Sequence, residues 1–595
     1  MKNSIKIFLM AALTTLGLSC GDDFLNKTPV GGLNQATLAN PQGVEATLIG
    51  AYSLLDGWAQ GWDFGGDVWR SAASNWVYGG ICGGEANKGS DNSDQPAINP
   101  IARYEALASN DYFKGKWYVC YDGVARSNST ILLLDQTTGI PAERAKSILA
   151  EATFLRAHYH FEAKRMFNNI PYIGTEVAKA AASDINAYQV ANDKDTWPQI
   201  EADYKFAYDN LPETQSAIGR INKWVAGASL ARCYMYEKKF TEAKALLTTL
   251  IANGKSSTGE KWGLNALYHD NFRIASKNSK ESVFAVQNSV NDGADGENGG
   301  YGDVLNFPYT GGPGECCGFY QPSLEFVNSF KVDANGLPLL DGSYNATPVK
   351  NDDGLPSDAP FTLGKESLDP RLDWSVGRRG IQYLDWGLHP GQKWIRDQVY
   401  AGPFSPKKHV FYSAEKGSKS TASGWAQGAS ANNTNLIRYA HLLLWLAECE
   451  VEGGNLEAAR TLVNQVRARA ANKDGFVKNI LKDRSGKDSI VVAANYVIGL
   501  YNTPWTNKDV ASQAVRFEHK LEFGMEGHRF FDLVRWGTAA QTLNAYIAFE
   551  GKYRIAMFKD SKFTAGKTEY FPIPQFAIIA SAVDGTPKLK QNPGY

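Results

Sequence analysis

The sequence is poor in cysteine and has no excess of charge of either sign. Its 595 residues include 7 cysteines, which are too few and too scattered for a disulfide framework in a chain of this size. Lysine and arginine total 61 and aspartate and glutamate total 62, a balance that argues against a nucleic-acid-binding protein. After the N-terminus no apolar run approaches the length of a membrane-spanning helix, so we expect none there.

The N-terminus has the pattern of a bacterial lipoprotein. Two lysines precede a mostly apolar run at 7–18, which has the length of a signal-peptide core and is too short to span a bilayer. Cys20 follows this run directly behind a small residue, as in a lipobox, although Gly17 stands where leucine is usual. We therefore expect a signal peptide at 1–19 and a lipid anchor on Cys20 that holds the chain at a membrane surface. A plain secretory signal cut nearby is the alternative.

Helical periodicity dominates both ends of the chain. Apolar residues recur at spacings of three and four over 143–167, and a second helix is expected at 197–213, with Pro198 in its first turn. The segments 224–254 and 440–470 each resemble a tetratricopeptide-like pair of antiparallel helices. In each pair, two small residues 12 positions apart let the helices approach closely: Ala231 with Ala243, and Ala447 with Ala459.

The middle of the chain has a different composition. Gly, Pro, Asn and Asp are frequent between about 255 and 435, where long helical patterns are absent. The stretch 56–104 is similar and carries several tryptophans among glycines. Because a loop of this length without structure is unusual in a compact domain, we interpret the middle as an irregular lobe of loops and short helices on a helical frame. Binding residues often lie on loops that a rigid scaffold carries.

Two glycine-rich loops contain residues with possible redox or metal chemistry. Cys316 and Cys317 are adjacent, so either a vicinal disulfide or two free thiols is open, and the lack of a nearby histidine argues against zinc. The other loop offers oxygen ligands that suit calcium, but their spacing misses the EF-hand pattern, so we favour a solvated polar loop. These possible ligands are Asp292, Asp295, Glu297, Asn298 and Asp303.

The segment 521–537, LEFGMEGHRFFDLVRWG, concentrates acidic and basic side chains as an active site would. Placed on one helix, Glu522, Glu526 and Arg529 form one stripe. A second stripe consists of His528, Asp532 and Arg535. Opposite charges at such spacings pair within a helix or hold neighbouring loops, whereas glycosidase carboxylates need a defined separation across a substrate. We therefore assign this segment a structural role.

A series of motifs extends over nearly the whole chain. It comprises SCGDDFLNKTP (19–29), GAYSLL (50–55), WYVCYDGVARSNSTI (117–131), AEATFLRAHYHFEAKRMFNNIPYI (150–173), DPRL (369–372), RYAHLLLWLAECE (438–450), RFEHKLEFGMEGHRFFDLVRWG (516–537), YFPIPQFAI and the ending QNPGY. Each motif alone is weak, but their order and combination are specific. In this combination the chain resembles the SusD/RagB glycan-binding lipoproteins of the Bacteroidota outer membrane.

The resemblance implies a mainly α-helical fold, in which four tetratricopeptide-like helix pairs carry a variable, loop-rich lobe. We expect a single domain at 20–595, with the helical scaffold at about 20–254 and 436–595 and the lobe at about 255–435.

The resemblance also implies a function. It predicts a non-enzymatic, surface-exposed lipoprotein without a cofactor, which binds an oligosaccharide or polysaccharide and caps a SusC-like TonB-dependent transporter. Asp22 and Asp23, just after Cys20, are similar to the acidic signals that send such lipoproteins to the cell surface.

The family binds glycans through aromatic side chains on its variable loops. Aromatic rings pack against the C–H faces of sugars, while polar side chains bind the hydroxyl groups. By region, and not by aligned motif, the resemblance implies a set of ligand residues in this chain. The aromatic candidates are Trp76, Tyr78, Tyr301, Tyr309, Tyr320, Trp386, Trp394 and Trp425. The polar candidates are Asp67, Asn75 and Arg379.

Two other functions stay open on the sequence. A surface glycoside hydrolase on a helical scaffold would need two carboxylates that converge in a pocket. A tetratricopeptide-like scaffold could instead bind only a peptide or a partner protein. The sequence does not identify the sugar.

Overall fold

The computed structural model describes residues 35–57, 68–294, 296–421, 428–482 and 486–595. The expected signal peptide, Cys20, Asp67, Asp295 and Trp425 lie outside these residues. Helices are the predominant regular structure of the described chain, as the sequence predicts. Within it, no helix combines the length and the apolar character that crossing a membrane requires.

The helices before the lobe are centred on one buried helix. They are α1 (Gln35–Leu38), α2 (Pro41–Ser53), α3 (Ile98–Ala102), α4 (Asp111–Asp135), α5 (Ala142–Phe167), α6 (Thr175–Ala181), α7 (Trp197–Asn210), α8 (Lys223–Tyr236) and α9 (Phe240–Asn253). From Ser147 onwards nearly every residue of α5 is buried, and α4 and α7 pack against it. The predicted helix at 143–167 is confirmed. The one at 197–213 ends at Asn210, because Pro212 disfavours a helical Leu211.

The lobe contains only short elements in its described residues. Its helices are α10 (Leu324–Asn328), α11 (Leu372–Ser375) and α12 (Gln398–Ala401). Antiparallel strand pairs join it to the rest of the molecule: β1 (Ala86–Lys88) with β3 (Tyr320–Pro322), and β2 (Ser282–Val286) with β6 (Thr434–Arg438). Within the lobe, β4 (Val376–Gly377) pairs with β5 (Ser405–Pro406).

The C-terminal part returns to long helices. They are α13 (Tyr439–Glu452), α14 (Leu456–Ala470), α15 (Lys508–Phe523), α16 (Arg529–Arg535), α17 (Ala539–Glu550), α18 (Ile555–Phe558) and α19 (Gln575–Ala580). Two hairpins accompany them: β7 (Lys478–Lys482) with β8 (Asp488–Val492), and β9 (Ala582–Val583) with β10 (Thr586–Pro587).

The two predicted helix pairs are confirmed. Helix α8 packs on α9, and α13 packs on α14. The four alanines singled out by their 12-residue spacing are all completely buried, so their small side chains lie where the paired helices meet. Helix α9 also packs against α13, which joins the two pairs into one scaffold.

The segment 521–537 is not one helix, so that prediction is wrong. Helix α15 ends at Phe523 and α16 begins at Arg529. Between them Met525 and Gly527 have φ angles of 67° and 73°. A Cβ on Gly527 would lie 1.9 Å from the Ser74 carbonyl oxygen, so only glycine allows this close approach of two backbones.

The predicted structural role is confirmed for Glu522 and Glu526, but their partners come from other elements. Arg438, at the junction of β6 and α13, donates to Glu526 at 2.9 and 2.8 Å, to Glu522 at 2.9 Å and to Glu281 at 2.8 Å. We call the connected group of five cations and five carboxylates the ion cluster, and none of its side chains is more than 3% exposed. Its members are Glu281, Asp369, Arg371, Lys408, Arg438, Arg467, Arg469, Glu518, Glu522 and Glu526.

The ion cluster keeps its carboxylates ionised despite burial. Burial alone would raise the pKa of Glu522, but Arg469, Arg438 and Arg371 together lower it to about 2. Burial also opposes ionisation of Glu526, and Arg438 and Lys408 hold its pKa well below the usual range. Both side chains therefore act as fixed anions that join the lobe to α15.

Replacing Arg438 by Ala should lower the free energy of unfolding by about 3–5 kcal/mol, because it leaves three buried carboxylates without their shared partner. Urea unfolding of the chain that begins after residue 20 measures this loss. The control is Lys205→Ala, which breaks an exposed pair whose side chains are 56% and 47% accessible and should cost about 0.5 kcal/mol or less. Equal losses for both variants would contradict a stabilising role for the ion cluster.

Candidate functional site

Three loops of the molecule are joined to each other by hydrogen bonds. The first loop covers 54–75, the second 287–320 and the third 380–434, described except at the gaps stated above. Ser74 Oγ donates to Asp303 at 2.6 Å and links the first loop to the second. The Gly300 amide donates to the Ser430 carbonyl at 2.9 Å and links the second loop to the third.

Four of the aromatic candidates lie in the core. Trp76, Tyr78, Tyr320 and Trp394 are 1%, 1%, 4% and 6% exposed. The Trp76 ring packs on Tyr320 with centroids 6.1 Å apart and its Nε1 donates to the Gly302 carbonyl, while the Tyr78 hydroxyl donates to backbone carbonyls. Buried rings cannot stack on a sugar, so the structure corrects the expectation that these four form an exposed platform.

The two polar candidates among the described residues donate hydrogen bonds to other groups of the protein. Asn75 is 4% exposed, and its Nδ2 donates to Glu162 at 3.2 Å. Arg379 is 9% exposed, and its guanidinium donates to three backbone carbonyls at 356–359. Arg379 holds a loop in place and Asn75 is buried, so neither side chain is exposed to a ligand. Asp67 and Trp425 lie outside the described residues.

Tyr301, Tyr309 and Trp386 remain partly exposed on these loops, and we call them the loop surface. The Tyr309 amide donates to the Trp394 carbonyl at 2.8 Å, and its ring lies 5.5 Å from the guanidinium carbon of Arg396. Trp386 Nε1 donates to the Phe411 carbonyl at 3.0 Å. Trp386 packs on the small apolar core that also contains Trp394. Trp386 thus rests on buried aromatic rings, and Tyr309 is held in place through its backbone amide.

A cleft beside Tyr301 contains polar residues that the sequence analysis did not assign to ligand binding. Asp56, Asn288 and Thr434 line it, and Asp303 lies between this cleft and a second cavity. Burial raises the pKa of the Asp303 carboxyl. The sequence analysis considered Asp303 only as a calcium ligand. Its position close to Tyr301 in a lobe loop could have indicated a role in ligand binding.

The second cavity lies behind Asp303 and contains unpaired polar atoms. Asn306 Oδ1 and His409 Nε2 are buried there and have no hydrogen-bond partner among the described residues. Burial lowers the pKa of His409, so its ring is neutral at physiological pH. These atoms are suitable partners for a water molecule at the base of the cleft.

The calcium and cysteine expectations have different outcomes. Among the described residues no group of three His, Cys, Asp or Glu side chains could hold a metal ion. Asp292 accepts from Asn298 at 2.9 Å and from the Ala294 amide at 3.2 Å, so its carboxylate closes its own loop. Cys316 and Cys317 are joined as a vicinal disulfide, the first of the two alternatives that the sequence left open.

Comparison with known sequences decides the family. The SusD family pattern matches residues 280–595, more than half of the chain. A second pattern, described as "Starch-binding associating with outer membrane", matches residues 85–235. The chain belongs to the SusD family.

Individual relatives are distant. A SusD-like protein of Bacteroides ovatus is 27% identical over 291 residues, which are 47% of this chain and 49% of that protein, so the match spans about half of the relative. A SusD-like protein of Formosa agariphila is 21% identical over 549 residues, which are 87% of each chain.

Solved structures share the fold of this SusD-family protein. A SusD superfamily protein from Bacteroides vulgatus has a TM-score of 0.64 at 20% identity, covering 93% of this chain and 99% of that one. Surface glycan-binding protein A from Bacteroides thetaiotaomicron, in complex with laminarihexaose, has a TM-score of 0.61 at 19% identity with the same coverage. At these identities the likeness establishes the fold.

Replacing Trp76 by Ala should lower the free energy of unfolding by about 3–5 kcal/mol, because it empties a space in the core. Urea unfolding provides the measurement. Tyr553→Ala is the control, since Tyr553 is 39% exposed and its removal should change stability by about 0.5 kcal/mol or less. A Trp76→Ala protein of unchanged stability would return Trp76 to the list of ligand residues.

Proposed function

We propose that this SusD-family protein binds oligosaccharides at the loop surface without cleaving them. The observation that carries the proposal is the set of partly exposed rings of Tyr301, Tyr309 and Trp386 on the three loops, with Trp386 packed on buried aromatic side chains. A ring held in place by its own backbone and indole hydrogen bonds loses little conformational entropy when a ligand binds.

The polar groups beside these rings complete the proposed site. A sugar on Tyr301 would place its hydroxyl groups toward the cleft, where carboxylate and amide oxygens of Asp56, Asn288 and Asp303 can accept hydrogen bonds. Tyr309 and Trp386 would contact further units of the same oligosaccharide. Affinity should be modest, because a few stacked sugars bury a limited area.

The relatives suggest which sugars to test first. One solved structure of the same fold is described as a laminarin-binding SusD-like protein, and another contains laminarihexaose. We therefore propose glucose-based oligosaccharides as the first ligands to examine, with laminarihexaose and starch oligosaccharides compared directly.

The remaining part of the proposal concerns location and delivery. We infer that the chain is anchored to the outer membrane through Cys20, faces the cell exterior and passes its ligand to a SusC-like TonB-dependent transporter. The description of the family pattern at 85–235 as outer-membrane-associated and the lipobox-like N-terminus support this location.

A hydrolase is the less favoured function on the described residues. Glu522 and Glu526, the acidic pair in the segment that resembled an active site, are buried in the ion cluster. They can neither reach a substrate nor exchange protons near neutral pH. Incubation with the bound oligosaccharide should therefore release no new reducing ends, and sustained release would overturn a non-enzymatic function.

Replacing Tyr309 by Ala should weaken oligosaccharide binding about tenfold, as expected for the loss of one aromatic contact of about 1.4 kcal/mol. Tyr301→Ala should have a similar effect. Isothermal titration calorimetry of the chain that begins after residue 20, with each oligosaccharide, gives the dissociation constants.

Tyr553→Ala is the matched control, because it removes an equally large and partly exposed ring elsewhere on the protein. Its affinity should equal that of the unsubstituted chain. If Tyr309→Ala and Tyr301→Ala bind as tightly as this control, the glycan site lies elsewhere.

A further inference from the structure

A small cavity lies where the first loop meets the buried helices α4 and α5. Its volume of about 20 Å³ is enough for one water molecule or one monatomic ion. Leucine side chains form much of the wall, which makes most of it apolar. Its ionisable groups come from the two helices and are Lys116 of α4 with His158 and Glu162 of α5.

Two buried donors line this cavity without a hydrogen-bond partner among the described residues. His158 is 4% exposed, and its Nδ1 atom has no partner. Burial lowers the pKa of His158 to about 3, so its ring is neutral and Nδ1 can carry the single N–H. Lys116 is also 4% exposed, and its ammonium lies 3.6 Å from Glu162 Oε2, which is too far for a hydrogen bond.

Positive charge is in excess around the cavity. Lys116, Arg165 and Arg232 are each at most 5% exposed. In the part of the chain that the structure describes, Glu162 is the only carboxylate within 4 Å of any of them, at 3.6, 2.6 and 3.7 Å. The Nε atoms of both arginines also have no hydrogen-bond partner there. Three buried cations thus share one carboxylate, and uncompensated buried charge is costly.

The other acidic groups of this region do not supply the missing charge. Glu448 and Asp532 are paired with Arg535 at 2.7 and 2.8 Å. Cys120 lines the cavity, but burial raises the pKa of its thiol, so the sulfur stays neutral. The excess of positive charge therefore remains at the cavity.

Size and charge select the occupant of the cavity. A water molecule would accept the free N–H groups but would leave the positive charge uncompensated, and a cation would be repelled by the ammonium. Polyatomic anions exceed the volume. The remaining polar side chains of the wall are engaged, since the Ser71 hydroxyl donates to the Gly57 carbonyl and the Tyr159 hydroxyl donates to the Ala51 carbonyl. A monatomic anion satisfies the volume, the free donors and the charge together.

We propose that the cavity binds a chloride ion, which accepts hydrogen bonds from Lys116 and His158 in the positive field of Arg165 and Arg232. The charge of Glu162 is offset by its close ion pair with Arg165. Because Asn75 donates to Glu162 at 3.2 Å, the same group of charges also holds the end of the first loop, and the ion stabilises this junction. The inference goes beyond glycan binding, and its tests need no oligosaccharide.

Crystals of the chain that begins after residue 20, soaked in sodium bromide, test the site directly. Bromide replaces chloride and scatters X-rays anomalously, so we expect an anomalous difference peak in the cavity between Lys116 Nζ and His158 Nδ1. A water molecule at this position, or bromide only at surface positions, overturns the proposal.

The dependence of stability on chloride tests the site in solution. An ion that binds only the folded chain lowers the unfolding constant by a factor of one plus its concentration over its dissociation constant. This factor is about 100 at about 100 mM chloride for a dissociation constant of about 1 mM. Urea unfolding in sodium chloride is compared with unfolding in sodium methanesulfonate at equal concentration, because methanesulfonate is too large for the cavity. Equal unfolding constants overturn the proposal, and a bromide peak without this difference means binding at crystal concentration only, which overturns it as well.

Lys116→Met removes the ammonium and keeps the length of the side chain. It should abolish both the bromide peak and the stabilisation by chloride, since the ion loses its charged partner. The matched control is Lys146→Met, which removes an exposed lysine of α5 and should keep the full chloride effect. A chloride effect that persists in Lys116→Met overturns the proposed position of the ion. If Lys116→Met does not fold, the bromide and methanesulfonate measurements on the unsubstituted chain decide.

Discussion

The burial of Arg438 is the constraint on which the rest of the structure depends. A guanidinium that is completely shielded from water needs charged partners on several sides, and Glu281, Glu522 and Glu526 supply them from two separate parts of the chain. The strand β6, the lobe residue before β2 and the end of α15 must therefore come together in one arrangement. Well-packed apolar residues in place of such a cluster often give similar stability, but the geometric requirements of the charges fix how the lobe sits on the helices.

The same arrangement supports the proposed binding site. Lys408 belongs to the ion cluster through Glu526, and His409, the next residue, lines the cavity behind Asp303. On the other side, the Met525 amide donates to Glu85 at 3.1 Å, so the turn between α15 and α16 also holds the backbone beside Trp76. A loop surface on such a base does not have to be ordered by its ligand, and this keeps the entropic cost of binding low.

The sequence predicted the helices well because the spacing of apolar residues along the chain alone specifies a helix. Alanines 12 residues apart located both helix pairs, since close helix contact requires small side chains.

The sequence predicted the site less well. Trp76 and Trp386 both lie in glycine-rich loops, and no local pattern separates a buried ring from an exposed one. Whether such a ring is buried depends on contacts with residues distant in the sequence. A Cβ on Gly80, close to Trp76, would lie 1.9 Å from the Tyr320 hydroxyl, so the segment that carries Trp76 packs tightly into the lobe. The glycines at 524 and 527 could have predicted that the segment 521–537 is not one continuous helix.

Different residues position the loops and contact the proposed ligand, and this has a physical consequence for ligand choice. The ion cluster and the buried rings set the positions of the loops, whereas Tyr301, Tyr309 and Trp386 keep part of their rings at the surface. Substitutions at the loop surface can therefore change the shape offered to a sugar without leaving a buried charge unpaired. A substitution in 521–537 changes stability first, because its carboxylates have no exposed alternative position. The segment that most resembles an active site is thus the one least able to touch a ligand.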